Sequence, residues 1–164
     1  MNAATRKALQ TFHIAATVSV LGADLVLITL GITGLAADPR TVYPAADLIG
    51  ARVVWPLALA SVGSGLTLAL FGPYGLFRFW WVTIKLAITL VLTGLLAFVL
   101  LPALGAAAQA AANGETLSTS RQLALVLGPV ASSALLLTNI ALAVFKPKRR
   151  LPRLARPERK EVPA

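Results

Sequence analysis

The chain has 164 residues, of which 57% are hydrophobic and 13% charged, and its formal net charge is +9. Soluble domains carry about 25% charged residues, so this composition excludes an ordinary soluble globular protein, and its apolar content excludes a disordered chain. The absence of cysteine excludes disulfides, thiolate metal sites and cysteine nucleophiles, and one histidine is too few for a histidine-rich zinc site, so we expect no metal centre.

Four apolar stretches are each long enough to cross a membrane, which takes about 20 residues of helix. They lie at about 12–35, 53–71, 79–103 and 120–145. The first exceeds the apolar core of a signal peptide and contains Asp24, so we interpret it as a retained span. The sequence therefore predicts an all-α fold, in which residues 1–146 form a transmembrane four-helix bundle.

Positive charges are distributed unevenly between the two ends of this bundle. Eleven Lys and Arg residues, eight of them between 146 and 160, lie at the end that holds both termini, and three lie at the other end. Because cytoplasmic loops are enriched in Lys and Arg, both termini are predicted to be cytoplasmic. Residues 147–164 are predicted to form a disordered basic tail that attracts anionic lipid headgroups rather than nucleic acid.

Turn-forming residues separate the predicted spans. Aspartate–proline and tyrosine–proline pairs predict a first outer loop at 36–52. Glycine and proline at 72–75 predict a tight inner turn between the second and third spans, and the Asn-Gly pair at 113–114 lies in a second outer loop.

Polar side chains inside the spans are the best indication of function, because they are costly in hydrocarbon. His13 and Asp24 are eleven residues apart, which places them within about 20° of each other on one face of a helix. Lys85 belongs to the third span, and Ser132 and Asn139 share a face of the fourth. Counting residues places Asp24 and Ser132 near the middle of the membrane, and Lys85 with Asn139 about 9 Å closer to the termini.

These residues have structural and functional interpretations. His13 alone is consistent with a hydrogen-bonded residue at the membrane boundary, and Lys85 with a side chain that extends to the headgroups. Asp24 is too short to reach water, so we expect it to face the bundle and to be protonated or paired, with Lys85 as its partner. Ser61 and Gly65 form a small-residue pattern that predicts close contact between helices.

Several segments resemble a family of small four-helix bacterial membrane proteins of unknown function. The resemblance covers about residues 10–150, and the segments that carry it are FHI at 12–14, PLALAS at 56–61, Gly65-Leu66, GPYGLFR at 72–78, Trp81-Val82, Lys85 and FKP at 145–147. It implies a bacterial inner-membrane protein with four spans.

A more distant similarity is to HemJ-type protoporphyrinogen oxidases and related copper-resistance membrane proteins. Those proteins place a histidine at the start of the first helix and a lysine early in a later helix, and His13 and Lys85 match these positions. The similarity implies that His13 and Lys85 bind haem b. A further histidine-containing helix of that group is absent from this chain.

Two function classes follow. The first is a non-enzymatic membrane module or complex subunit, in which the intramembrane polar residues fix the register of the helices. The second is a haem-binding or proton- or redox-handling protein that uses His13, Asp24 and Lys85. A homo-oligomer or a larger membrane complex is compatible with both.

Overall fold

The computed structural model describes residues 2–71 and 80–145, and within them it is all-helical. Four helices are long and apolar enough to cross a membrane: α1 (Ala3–Thr33), α2 (Pro39–Phe71), α3 (Trp80–Ala112) and α4 (Thr119–Phe145). This confirms the predicted number of spans and the architecture of a multi-pass membrane protein. The predicted inner turn at 72–75, the predicted start of the third span at 79 and the predicted basic tail at 147–164 lie outside the described residues.

The second helix begins fourteen residues before the predicted span, so the expectation of a loop at 36–52 is wrong for most of its length. Asp38 caps the helix by accepting a hydrogen bond from the Arg40 backbone N–H at 3.0 Å. Pro39 follows at the first helical position, where its missing N–H is not needed. Aspartate followed by proline is common in turns, but here the pair begins a helix.

Charged residues explain why the sequence does not predict this extension. Arg40, Asp47 and Arg52 interrupt the apolar pattern, so counting apolar residues places the start of the span at 53. The extension nevertheless has a buried face, with Tyr43 packed against Gly34 after the end of α1, and it contacts the final turns of α3, which continue to Ala112. At about 1.5 Å per residue, α2 and α3 are each about 50 Å long and project beyond a hydrocarbon core of about 30 Å.

Both long helices contain a short π-helical segment, at Gly50–Val54 in α2 and at Leu96–Leu100 in α3. The first segment lies where α2 approaches α3 closely, since a Cβ on Gly50 would lie only 2.7 Å from a methyl carbon of Leu104.

Contacts between the helices establish an antiparallel arrangement. Near its start α1 contacts the last turns of α2, through His13 and Gly65, and near its end it contacts the start of α4, through Gly31 and Val126. We call the end of the bundle where α1 starts and α4 finishes the terminal end. Leu27, Val54 and Leu104 are among the most buried members of the apolar core between the helices.

Candidate functional site

His13 is fixed against α2 by its Nδ1 atom. Nδ1 lies 3.1 Å from the Ser61 carbonyl oxygen and 3.0 Å from Ser64 Oγ. α1 and α2 can approach this closely because residue 65 is a glycine. A Cβ at this position would lie only 2.9 Å from His13 Cε1. The small-residue pattern at Ser61 and Gly65 thus lies at a helix–helix contact, as the sequence predicts, and it holds the imidazole.

The partners of Nδ1 determine which nitrogen of His13 carries the proton. A carbonyl oxygen only accepts hydrogen bonds, so Nδ1 must be the donor to Ser61. The Ser64 hydroxyl donates its hydrogen to the Ala60 carbonyl oxygen at 2.6 Å. Its oxygen is therefore also an acceptor for the N–H of His13 Nδ1. A neutral His13 is consequently the Nδ1–H tautomer, with an unprotonated Nε2 that has no hydrogen-bond partner among the described residues.

A cavity of about 410 Å³ opens beside this ring, between the helices towards the terminal end. We call it the His13 cavity. Its walls include His13, Ser61, Lys85 and Thr89, and otherwise they are mainly apolar, with Leu68, Trp81 and Leu86 among them. The structure thus brings together His13 and Lys85, the two residues predicted to bind a cofactor. The volume of the cavity lies in the range of about 300–1,000 Å³ that is typical of small-molecule sites.

The backbone at Lys85 is held by α4. Asn139 Nδ2 donates to Thr89 Oγ1 at 3.1 Å and more weakly to the Lys85 carbonyl oxygen at 3.4 Å. The Thr89 hydroxyl donates to the same carbonyl at 2.8 Å. Asn139 is only 4% exposed, so the predicted polar face of α4 is directed into the bundle and fixes the position of Lys85 along the membrane normal.

Asp24 lies in a different part of the bundle. It is only 1% exposed, as expected for a carboxyl group directed away from lipid, and Ser132 of α4 lines the same cavity. Its Oδ2 atom is buried and has no hydrogen-bond partner in the described chain.

The expected ion pair between Asp24 and Lys85 is not formed in residues 2–71 and 80–145, where the two side chains line different cavities. The reason is depth, because Ser132 lies at the level of Asp24, whereas Lys85 lies about 9 Å closer to the termini.

A second cavity, of about 240 Å³, contains the Asp24 carboxyl group, and we call it the Asp24 cavity. Its polar side chains are Asp24, Ser61, Thr89, Thr93 and Ser132, and the rest of its lining is apolar. Ser61 and Thr89 also line the His13 cavity, so the two cavities adjoin at these two hydroxyl groups.

The sequence places Thr89 one helical turn after Lys85 and Ser64 among the small residues of the second span. It does not show that Ser64 contacts His13 or that Thr89 lines both cavities, because these contacts depend on how the neighbouring helices are placed.

No group of three or more metal-binding side chains is present in the described part of the chain. No family model, curated protein or solved structure matches this chain. Function must therefore be argued from the geometry of the two cavities.

Proposed function

We propose that this chain is a non-enzymatic membrane module that binds an amphipathic anion in the His13 cavity. The observation that carries the proposal is a mainly apolar cavity whose lining brings Lys85 together with His13. The apolar body of the ligand would contact Leu68, Trp81 and Leu86, and its acidic group would approach Lys85.

The preference for an anion comes from Lys85. An ammonium group inside a mainly apolar cavity is costly unless a negative charge or several acceptors compensate it. Lys85 forms no ion pair with any acidic side chain of the described residues, and Asp24 lies in the adjoining cavity. A carboxylate or phosphate on a ligand from the membrane would supply the missing charge.

Binding of haem b is the second candidate function, and the orientation of His13 favours it. Histidines that ligate metals usually donate their other ring N–H to a carbonyl or carboxylate, and His13 does so to Ser61. His13 would hold the haem iron through Nε2, the ring nitrogen that has no hydrogen-bond partner among the described residues. Lys85 would then pair with a propionate, and the bound haem would supply one-electron redox chemistry.

Binding of three probes to the purified full chain distinguishes these candidates: oleate, metal-free protoporphyrin IX and haemin. We expect Lys85→Met to weaken binding of all three at least tenfold, because each carries a carboxylate. His13→Ala should weaken haemin selectively if the iron is ligated. Lys7→Met is the matched control, because Lys7 is exposed and does not line the cavity. Failure of all three probes to bind, or equal binding by the Lys85→Met variant, would contradict the proposal.

In this proposal both termini face the cytoplasm, which places the His13 cavity in the inner half of the membrane and the basic tail beside anionic lipids. The support is the excess of Lys and Arg at the terminal end. Because the chain contains no cysteine, single substitutions report unambiguously on exposure. In intact cells an impermeant thiol reagent should label Thr116→Cys but not Thr5→Cys, two exposed positions at opposite ends of the bundle. The reverse pattern would contradict this orientation.

A further inference from the structure

Asp24 is the only buried acidic side chain among residues 2–71 and 80–145. It is 1% exposed, its Oδ2 atom has no partner, and it faces a cavity of about 240 Å³. An unpaired carboxylate in such surroundings is strongly disfavoured, and the usual outcome is that the group takes up a proton. The buried Oδ2 atom, which has no hydrogen-bond partner in the described chain, is the position for that proton.

Among the described residues, no other titratable side chain lines the Asp24 cavity. His13 of α1 and Lys85 of α3 line the adjoining His13 cavity instead. Neither α2 nor α4 contributes a titratable side chain to either cavity. Asp24 therefore has no fixed counter-charge that would hold it ionised, and a proton is the simplest way to neutralise it.

A polar route connects this carboxyl group to the terminal end. The hydroxyls of Ser61 and Thr89 line both cavities. Ser61 Oγ is hydrogen-bonded to Thr17 Oγ1 at 2.9 Å. Ser61 is the donor in this pair, because the Thr17 hydroxyl donates its own hydrogen to the His13 carbonyl oxygen. The Asp24 cavity has room for water, and Asp24, Ser61, Thr89 and Ser132 offer it polar partners.

We infer that Asp24 is a proton-binding site in the middle of the membrane, which exchanges its proton with the terminal end of the bundle through Ser61 and Thr89. Loading transfers one proton from water at the terminal end to Asp24 Oδ2 and leaves a neutral carboxylic acid. Unloading returns the proton and restores the carboxylate. The opposite end of the cavity is lined by Leu96, Val99 and Leu100, which offer no side-chain donor or acceptor, so exchange is one-sided.

An apolar carbodiimide tests the binding site, because dicyclohexylcarbodiimide enters the membrane and adds to protonated carboxyl groups in apolar surroundings. The full chain, purified in detergent, is treated with the reagent, and its peptides are mapped by mass spectrometry. We expect an adduct on Asp24 that is lost in Asp24→Asn and retained in Asp47→Asn, where the substituted carboxyl group lies in the extension of α2. No adduct on Asp24 would overturn the proposal, and so would protection by sodium ions, which would indicate a cation site.

Infrared spectroscopy tests the route. The unmodified chain should show a carboxylic acid C=O band that is missing in Asp24→Asn and shifts when the proton exchanges for deuterium. We expect Ser61→Ala and Thr89→Val each to slow that exchange at least fivefold. Thr93→Val is the matched control, because Thr93 lines only the Asp24 cavity. Equal exchange rates in all variants would overturn the route, and absence of the band from the unmodified chain would overturn the site.

Discussion

His13 and Asp24 lie on the same helix and both line cavities between the helices, yet they are held in opposite ways. His13 is half-buried, and its Nδ1 atom lies 3.1 Å from the Ser61 carbonyl oxygen and 3.0 Å from Ser64 Oγ of α2. Asp24 is buried in a cavity that Ser132 also lines, but its Oδ2 atom has no hydrogen-bond partner in the described chain. The difference teaches that one polar position is built to orient a nitrogen, whereas the other leaves an oxygen available.

The largest effect expected from this comparison concerns the tight contact at His13. Gly65→Leu should destabilise the protein by about 2–3 kcal/mol, because the new side chain would overlap the imidazole ring. Gly63→Leu is the matched control: a Cβ at Gly63 meets nothing within 4 Å, so its effect should stay within about 0.5 kcal/mol. Thermal unfolding in detergent measures both. Equal melting temperatures for the two variants would show that the ring is not held against Gly65.

Two buried serines sharpen the comparison at a smaller scale. Ser64 contacts His13, and Ser64→Ala should cost about 1 kcal/mol, the usual worth of a buried hydrogen bond. Ser133, next to Ser132, has a buried Oγ atom without a partner in the described chain, so Ser133→Ala should cost nothing or stabilise slightly. Unfolding of the two variants under identical conditions measures the difference. A larger loss at Ser133 than at Ser64 would reverse the comparison.

The smallest expected effect is the energetic coupling between Asp24 and Lys85. If Asp24 and Lys85 formed a buried ion pair, removing one partner would cost about 3–5 kcal/mol and removing both would cost less. Because they line separate cavities, a double-mutant cycle with Asp24→Asn and Lys85→Met should give a coupling energy below about 0.5 kcal/mol. A coupling energy above about 1 kcal/mol would contradict this expectation, because it would show that Asp24 and Lys85 interact across the two cavities.

The sequence predicts the spans well and the helix ends poorly, for one physical reason. The length of an apolar stretch identifies the part of a helix that lies in the hydrocarbon core, so it locates the membrane part of α2. It does not identify the extension from Pro39, which is stabilised by an aspartate cap and by packing against α3. Helical periodicity also places His13 and Asp24 on the inward face. It cannot show which partner each one finds, because that depends on the relative depth and rotation of the neighbouring helices. Asp24 shares a cavity with Ser132 rather than with Lys85 for this reason.

The central claim is that α2 holds His13 with Nδ1 protonated and Nε2 open to the cavity. His13 is the only histidine in the chain, so selective labelling of histidine with nitrogen-15 gives signals from this one ring. The nuclear magnetic resonance spectrum of the neutral ring should show a protonated Nδ1 and an unprotonated Nε2, and the Nε2 signal should move when haemin or an amphipathic acid binds. A spectrum in which Nε2 carries the proton, or a ring that alternates freely between the two tautomers, would contradict the account.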